Sequence, residues 1–476
     1  MLLIIGGRAA QFILLLGTMR LATTYLQPGE MGRLSLITAV TAFVSLFLVN
    51  PVGMFINRRF HDWETLGRTR LYLKLHWLYL LAISALIAGA LVVLNNTYEF
   101  DFQLSTSWLL VLVCGSVLFN TINQTVIPSL NLLELRGPFV FLTLATIAAG
   151  LVISLLLVQG FGATAEFWLL GMLLGQIIFA LIGTQIFFGK LQPQVHADLP
   201  GRPHLRALFD FAWPVAISVG FNWLQTQGYR FFVADSLGLV ALGLFVAGYG
   251  ISAGLMAAFE SVLTTYFQPR FYKAVSNNDQ HEQARAWSKY ASAILPSLML
   301  VIFMLIGLAP ELTRFMVGPA YQSASQYVVW GVLAEGARVA AGVYSMSAYA
   351  RMKTNLLLLP NVIGAVVCIG LIWAFTQRFG VHGVGFARVL AGVAMVVAMH
   401  YLMVKVLEMK LPYRMLLKSI AMGLGLLLIV TAGRWLLGGT QSLWAAGCLI
   451  VFTGLVFLPM FYWLIFPFLP RHDIVR

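Results

Sequence analysis

Glu335 and Arg338 set an acid and a guanidinium three residues apart, on one face of a helix, in the middle of the apolar stretch SQYVVWGVLAEGARVAAGVYSMS. Two chemistries are open to such a pair. It can close on itself as an internal ion pair that locks packing, or Arg338 can line a translocation cavity and grip a phosphate through paired hydrogen bonds. Glu260 lies well inside another apolar stretch, ten residues before Arg270. It is either the structural partner of an arginine or a protonatable coupling group. Arg8 lies about two turns into the first apolar stretch. Arg20 and Arg230 lie near the outer ends of the first and the seventh stretch, twelve residues before Gly32 and thirteen before Gly243. Arginines at such ends reach the interface by snorkelling; facing each other across one cavity, they would suit an anionic head group. Asn120, Asn123, Gln124 and Asn131 share one broad helical face, and Asn222, Gln225 and Gln227 crowd another segment. Such amides either bond between helices or read sugar hydroxyls.

Other chemistry is missing. The chain has no Walker-type GxxxxGK(S/T) loop, no HExxH, no GxSxG and no cysteine with a suitably spaced histidine. His61, His76, His196, His204, His281 and His472 fall in or beside polar joints without ligand spacing, while His382 and His400 are isolated. Cys114, Cys368 and Cys448 lie in apolar stretches and read as small packing residues. ATP hydrolysis and hydrolytic catalysis are argued against, so no enzyme, metal or cofactor is expected. A coupling ion, H+ or Na+, stays open.

An ionisable group at the centre of a bilayer costs at least about 2.5–3.5 kcal/mol, so each of these charges needs a wet cavity, a partner or a function. The elements that hold them are membrane helices. Of the 476 residues, 60% are hydrophobic and 10% charged, against roughly 25% charged in ordinary soluble domains. A hydrocarbon core about 30 Å thick needs roughly 20 apolar residues per helix. On that measure about fourteen segments emerge, near 2–25, 32–56, 73–94, 107–132, 139–158, 166–188, 208–230, 238–263, 288–309, 325–348, 355–376, 382–405, 414–433 and 443–468. The expected class is an all-α polytopic membrane protein. The first segment lacks a basic cluster before it and a clear cleavage site, so it reads as a helix and not a signal peptide.

Every second joint is basic, from Arg58, Arg59, Arg68, Arg70 and Lys74 through Arg136, Lys190 and Arg202 to Arg270, Lys273, Arg351, Lys353, Lys410 and Arg471. The alternate joints, such as 95–107 with Glu99 and Asp101, are poor in Lys and Arg. Positive charge stays on the cytoplasmic side, and an even number of helices then puts both termini there. The net charge of +13 is what this topology requires, so no nucleic-acid partner is expected.

The chain repeats itself weakly at an offset of about 211 residues. LQPGEMGRL at 26–34 lies over LGLVALGLF at 237–245, FINRRF at 55–60 over YFQPRF at 266–271, and QGFG at 159–162 over QRFG at 377–380. Six helices separate the paired segments, and an even number makes the repeats parallel. The expected domains are a six-helix repeat at 1–188, a cytoplasmic linker at 189–206 rich in proline and charge, a second six-helix repeat at 207–406, and two accessory helices with a tail at 407–476.

RLATTYLQPGEMGRLSL at 20–36 resembles the Arg/Leu/Pro/Gly signature between the first two helices of bacterial Wzx-type oligosaccharide and polysaccharide flippases, of the multidrug/oligosaccharidyl-lipid/polysaccharide (MOP) exporter superfamily. YRFFVADSLGLVALGLFVAGYGI at 229–251, AYQSAS at 320–325 and RFGVHGVGFA at 378–387 are similar to further family segments. The chain departs from many relatives by placing Gly228 and Tyr229, not an acid, before Arg230. The resemblance implies a V-shaped bundle that opens alternately to the two sides of the bacterial inner membrane. It implies flipping of an undecaprenyl-diphosphate-linked oligosaccharide for O-antigen, exopolysaccharide or capsule assembly, with membrane lipids around it. A polysaccharide polymerase and a chain-length regulator are the partners it suggests. Arg338, Arg8, Arg20 and Arg230 would counter phosphate charge. Rival readings are a lipid II flippase and a cation-coupled multidrug exporter of the same superfamily.

Overall fold

The computed structural model describes residues 2–65, 67–97, 105–191, 202–275, 279–351, 353–439 and 442–468. Most of the linker, the centre of the acidic 95–107 joint and the basic tail with Arg471 lie outside these residues, as do the side chains of Arg58 and Arg59. Among the described residues every regular element is helical: α1 (Leu2–Tyr25), α2 (Pro28–Val44), α3 (Asn50–Thr65), α4 (Thr69–Thr97), α5 (Thr106–Leu132), α6 (Arg136–Phe161), α7 (Ala165–Lys190), α8 (Arg202–Gln227), α9 (Tyr229–Val275), α10 (Gln280–Gly307), α11 (Ala309–Met316), α12 (Ser325–Ala350), α13 (Leu358–Met403), α14 (Tyr413–Leu436) and α15 (Leu443–Ile465). A π-turn at Ser45–Val49 joins α2 to α3 as one continuous segment. Backbone of positive φ at Gly238 and Gly380 breaks α9 and α13.

Ten described stretches are long and apolar enough to cross a membrane, and two of them, Arg206–Val275 and Asn355–Met403, each hold two crossings. With α1 and α12 this makes fourteen long helical segments among the described residues. The chain is a multi-pass membrane protein. Several helices run past their apolar cores: α3 continues to Thr65, α9 to Val275, and α10 starts at Gln280, eight residues before its apolar segment. Hydropathy marks only the part at membrane depth. The helical ladder itself satisfies the backbone equally well in water. The joint before α12 also holds the short amphipathic helix α11, with Glu311 buried and Phe315 exposed.

By contact the chain forms two compact units, Met1–Phe231 and Phe232–Arg476. In the first, α4 packs on α5, α5 and α6 on α7, α1 on α6, and α8 on α3. Leu80, Leu112, Val113 and Val117 fill the α4–α5 layer, and Leu130, Leu142 and Phe187 fill the layer where α5, α6 and α7 meet. Lipid tails are as apolar as leucine, so close backbone approach matters more here than in water. The α6–α7 crossing shows it: a Cβ on Gly175 would stand 2.5 Å from the Gly150 nitrogen, and one on Gly171 2.3 Å from Ser154. At the same crossing the Ser154 hydroxyl donates to the Trp168 carbonyl at 2.7 Å.

The second unit is organised around α10, whose membrane window is 61% buried, about twice that of most other spans. α12 and α14 pack on it and α13 packs on α12. Leu300, Leu426 and Leu464 form the layer that seats α14 and α15.

Candidate functional site

The second unit gathers most of its membrane-depth charge into one hydrogen-bonded chain. On α9, Tyr249 and Glu260 are eleven residues apart, close to three whole turns, so they share a face. On α12, Glu335 and Arg338 share a face at i,i+3. α13 contributes Arg388 from its second half. The helices can bring these groups together because α9 and α12 nearly touch at Gly331, where a Cβ would stand 2.7 Å from Ser252 and 3.2 Å from the Tyr249 backbone. The Ser252 hydroxyl donates to the Val328 carbonyl at 2.7 Å and ties the same crossing.

Arg338 is the centre of the chain. Its Nε donates to Glu335 Oε2 at 2.6 Å and its Nη2 to Glu260 Oε2 at 2.8 Å. The other oxygen of Glu335 accepts from the Tyr249 hydroxyl. That hydroxyl in turn accepts from Arg388 Nη2 at 2.8 Å, and the Arg388 guanidinium stacks 4.0 Å from the centre of the Tyr249 ring. Two arginines therefore face two carboxylates, and the cluster is neutral as a whole. Burial is graded along it. Arg388 and Glu335 are buried, while the side chains of Glu260 and Arg338 keep 27% and 37% of their surface exposed. Glu260 also lines a cavity of about 160 Å³ with Tyr290 of α10 and Ser345 and Tyr349 of α12.

Glu260 thus partners Arg338, not the nearby Arg270, whose guanidinium stacks on the Tyr266 ring at 3.8 Å. Tyr249 and Arg388 were not singled out by sequence. Tyr249 reads as an ordinary packed aromatic. Arg388 had a signal: an arginine six residues inside the segment 382–405, with no acid in that segment, must find its partner on another helix. A second internal pair was also passed over. Arg434 of α14 meets the buried Glu311 of α11 through Nε–Oε1 and Nη2–Oε2 bonds, both 2.8 Å long.

The other sequence-predicted residues lie in the first unit. Arg230 donates from Nη1 to the Ser35 carbonyl at 2.8 Å and to the Thr38 hydroxyl at 3.3 Å. Arg8 is exposed and bonded to Gln11 of its own helix at 3.0 Å. Arg20 is partly buried in α1. Asn123 is buried and donates to the Gln176 carbonyl of α7 at 2.9 Å, an inter-helix bond. Gln124 is exposed, donating to Asn120 at 3.3 Å; Asn222 is exposed and Gln225 partly buried on α8. This unit has a charge cluster of its own: Arg33 lies between Glu30 and Glu166, at 3.0 and 3.4 Å, and Glu30 accepts the Ala165 amide at the start of α7.

The family model for "Polysaccharide biosynthesis protein" matches residues 23–326. Comparison with curated proteins finds no match. Among solved structures, lipid II flippase MurJ in an inward closed conformation is similar over 100% of both chains, with a TM-score of 0.73 at 15% identity. An inward-facing multidrug resistance MATE family transporter of the MOP superfamily covers 84% of this chain and 94% of its own, with a TM-score of 0.56 at 15% identity. A mutant of the Vibrio cholerae MATE transporter VcmN covers 84% and 93%, with a TM-score of 0.52 at 15% identity. The chain therefore belongs to the polysaccharide biosynthesis protein family and has the fold of the MOP exporter superfamily.

Proposed function

We propose that the protein flips an undecaprenyl-diphosphate-linked oligosaccharide from the cytoplasmic to the outer leaflet of the bacterial inner membrane, for O-antigen, exopolysaccharide or capsule assembly. Alternating access of two six-helix repeats, 1–188 and 207–406, would carry the polar head while the lipid tail stays in the bilayer. The observation that carries this reading is the family match over residues 23–326, joined to a fold shared end to end with a lipid flippase. The MATE transporters leave about a sixth of the chain unmatched, which weighs against a multidrug exporter. Both termini and the 189–206 linker would be cytoplasmic, as the basic joints require. The MurJ likeness favours lipid II as a second substrate reading, and the two substrates share the diphosphate and the carrier chemistry.

Deletion of the gene tests the reading. The expected result is loss of a surface polysaccharide with its lipid-linked repeat units stranded on the cytoplasmic side. Slow growth through carrier sequestration should follow, relieved by removing the initiating glycosyltransferase. Accumulation of lipid II would select the second reading. An unchanged surface glycan with sensitivity to cationic dyes would reject both in favour of an exporter.

A further inference from the structure

We propose that Glu260 is a proton-accepting group that competes with the substrate's phosphate for Arg338, so that one proton is taken up for each anion bound. This deepens the flippase reading and rests on it for the identity of the anion. Arg338 is the cation of the cluster that an incoming anion could reach, since Arg388 is buried behind Tyr249. Yet Arg338 is already held by two carboxylates, at 2.6 and 2.8 Å. With both ionised the cluster is neutral, and a diphosphate placed beside it would leave uncompensated negative charge in a partly buried place. Neutralising one carboxylate gives the cluster a charge of +1 and releases one edge of the guanidinium, the geometry that phosphate takes in a forked bond.

The surroundings choose which carboxylate yields. Glu335 is buried and fixed by the Tyr249 hydroxyl as well as by Arg338, with Arg388 on the far side of that hydroxyl. Glu260 has Arg338 as its cationic partner, is the more exposed of the two, and borders the 160 Å³ cavity. The groups that face it are Arg338 from α12, with Glu335 beyond that guanidinium, and Tyr290 from α10; Tyr349 also lines the cavity, and α15 meets the neighbouring Phe259 through Phe461. Protonation at Glu260 Oε2 breaks the bond to Arg338 Nη2, and the phosphate oxygen then accepts from that Nη2. By linkage, the proton and the anion each raise the affinity for the other.

The experiment uses the full-length protein in nanodiscs and a dialkyl diphosphate diester as the probe, because its two phosphates keep one charge each between about pH 5 and pH 8. Calorimetry in buffers of different ionisation enthalpy counts the protons exchanged. The wild type should take up close to one proton per probe, with Kd rising about tenfold per pH unit on the alkaline limb. Glu260→Gln should take up none and bind at all pH values as tightly as the wild type does in acid. Glu260→Asp, which keeps the titrating group, should keep the uptake. Binding by the wild type without proton uptake, uptake that persists in Glu260→Gln, or no binding at any pH overturns the exchange. The deletion phenotype does not depend on this exchange, so the flippase reading can stand while the exchange fails.

Discussion

Arg434 and Glu311 are joined by two parallel hydrogen bonds of 2.8 Å, and the same Arg434 Nη2 also donates to the Gly307 carbonyl at the end of α10. One guanidinium thus ties α14 to α11 and to the last turn of α10. Glu311 is fully buried, while Arg434 keeps about a third of its surface exposed. Removing Arg434 would strip two charge-assisted hydrogen bonds from a buried carboxylate, which costs roughly 3 kcal/mol or more. Arg434→Ala should therefore lower the thermal unfolding midpoint in detergent, and Arg434→Met with Glu311→Gln should recover most of the loss.

Arg338 is constrained differently, because two carboxylates depend on it. Arg338→Ala should lower membrane abundance, since Glu260 and Glu335 would then face each other without the cation that stands between them. Arg338→Met combined with Glu335→Gln and Glu260→Gln should restore abundance on immunoblots. Transport of the lipid-linked glycan should stay absent in that neutral triple variant and be partly kept in Arg338→Lys, where the charge persists without the fork. Full transport by the neutral triple variant would show that the cluster only holds the helices together.

The α6–α7 crossing should tolerate no side chain at Gly175. Its Cβ would meet the backbone of Gly150, and backbone cannot rotate away. Gly175→Ala should destabilise by about 1–3 kcal/mol, an overpacking cost. Gly160→Ala, with open space around its Cβ position, is the control that should leave the unfolding midpoint unchanged.

Topology can be read with single cysteines in a chain whose Cys114, Cys368 and Cys448 are replaced. Gly189→Cys at the end of α7 and Ser105→Cys before α5 are both exposed positions. An impermeant thiol reagent added to intact spheroplasts should label Ser105→Cys and spare Gly189→Cys. The reverse pattern would invert the proposed orientation.

Fourteen segments were legible because the bilayer imposes one length and one polarity on each crossing. The Glu335–Arg338 pair was legible for a local reason, the i,i+3 spacing on one helix. Its extension to Glu260, Tyr249 and Arg388 was not. Those contacts join residues 78, 86 and 139 positions apart, and nothing in a single chain says which faces of α9, α12 and α13 meet. Hydropathy hid Glu311 for a related reason: it sits in a joint, where an acid looks solvated, yet α11 turns it inward beneath α14. The amide-rich face of α5 divides in the structure, with Asn123 buried against α7 and Gln124 exposed. Residue type alone cannot separate two amides adjacent in sequence.

The π-turn at Ser45–Val49 gives the segment 28–65 one residue more than a regular α-helix of that height needs. The widened turn takes up that residue, so everything from Asn50 onward keeps the azimuth that a regular helix from Pro28 would give it. The Tyr79 hydroxyl of α4 reaches in to bond the Leu48 carbonyl at 2.8 Å, so the widened turn is held from outside its own helix. A deletion of one residue between 45 and 49 would return the ladder to ordinary pitch and leave Ile56 and Trp63 in the layer they fill beside Leu130 and Phe187. In this stretch a lost residue is thus absorbed, whereas one lost from the regular ladder after Asn50 would turn all that follows by about 100°.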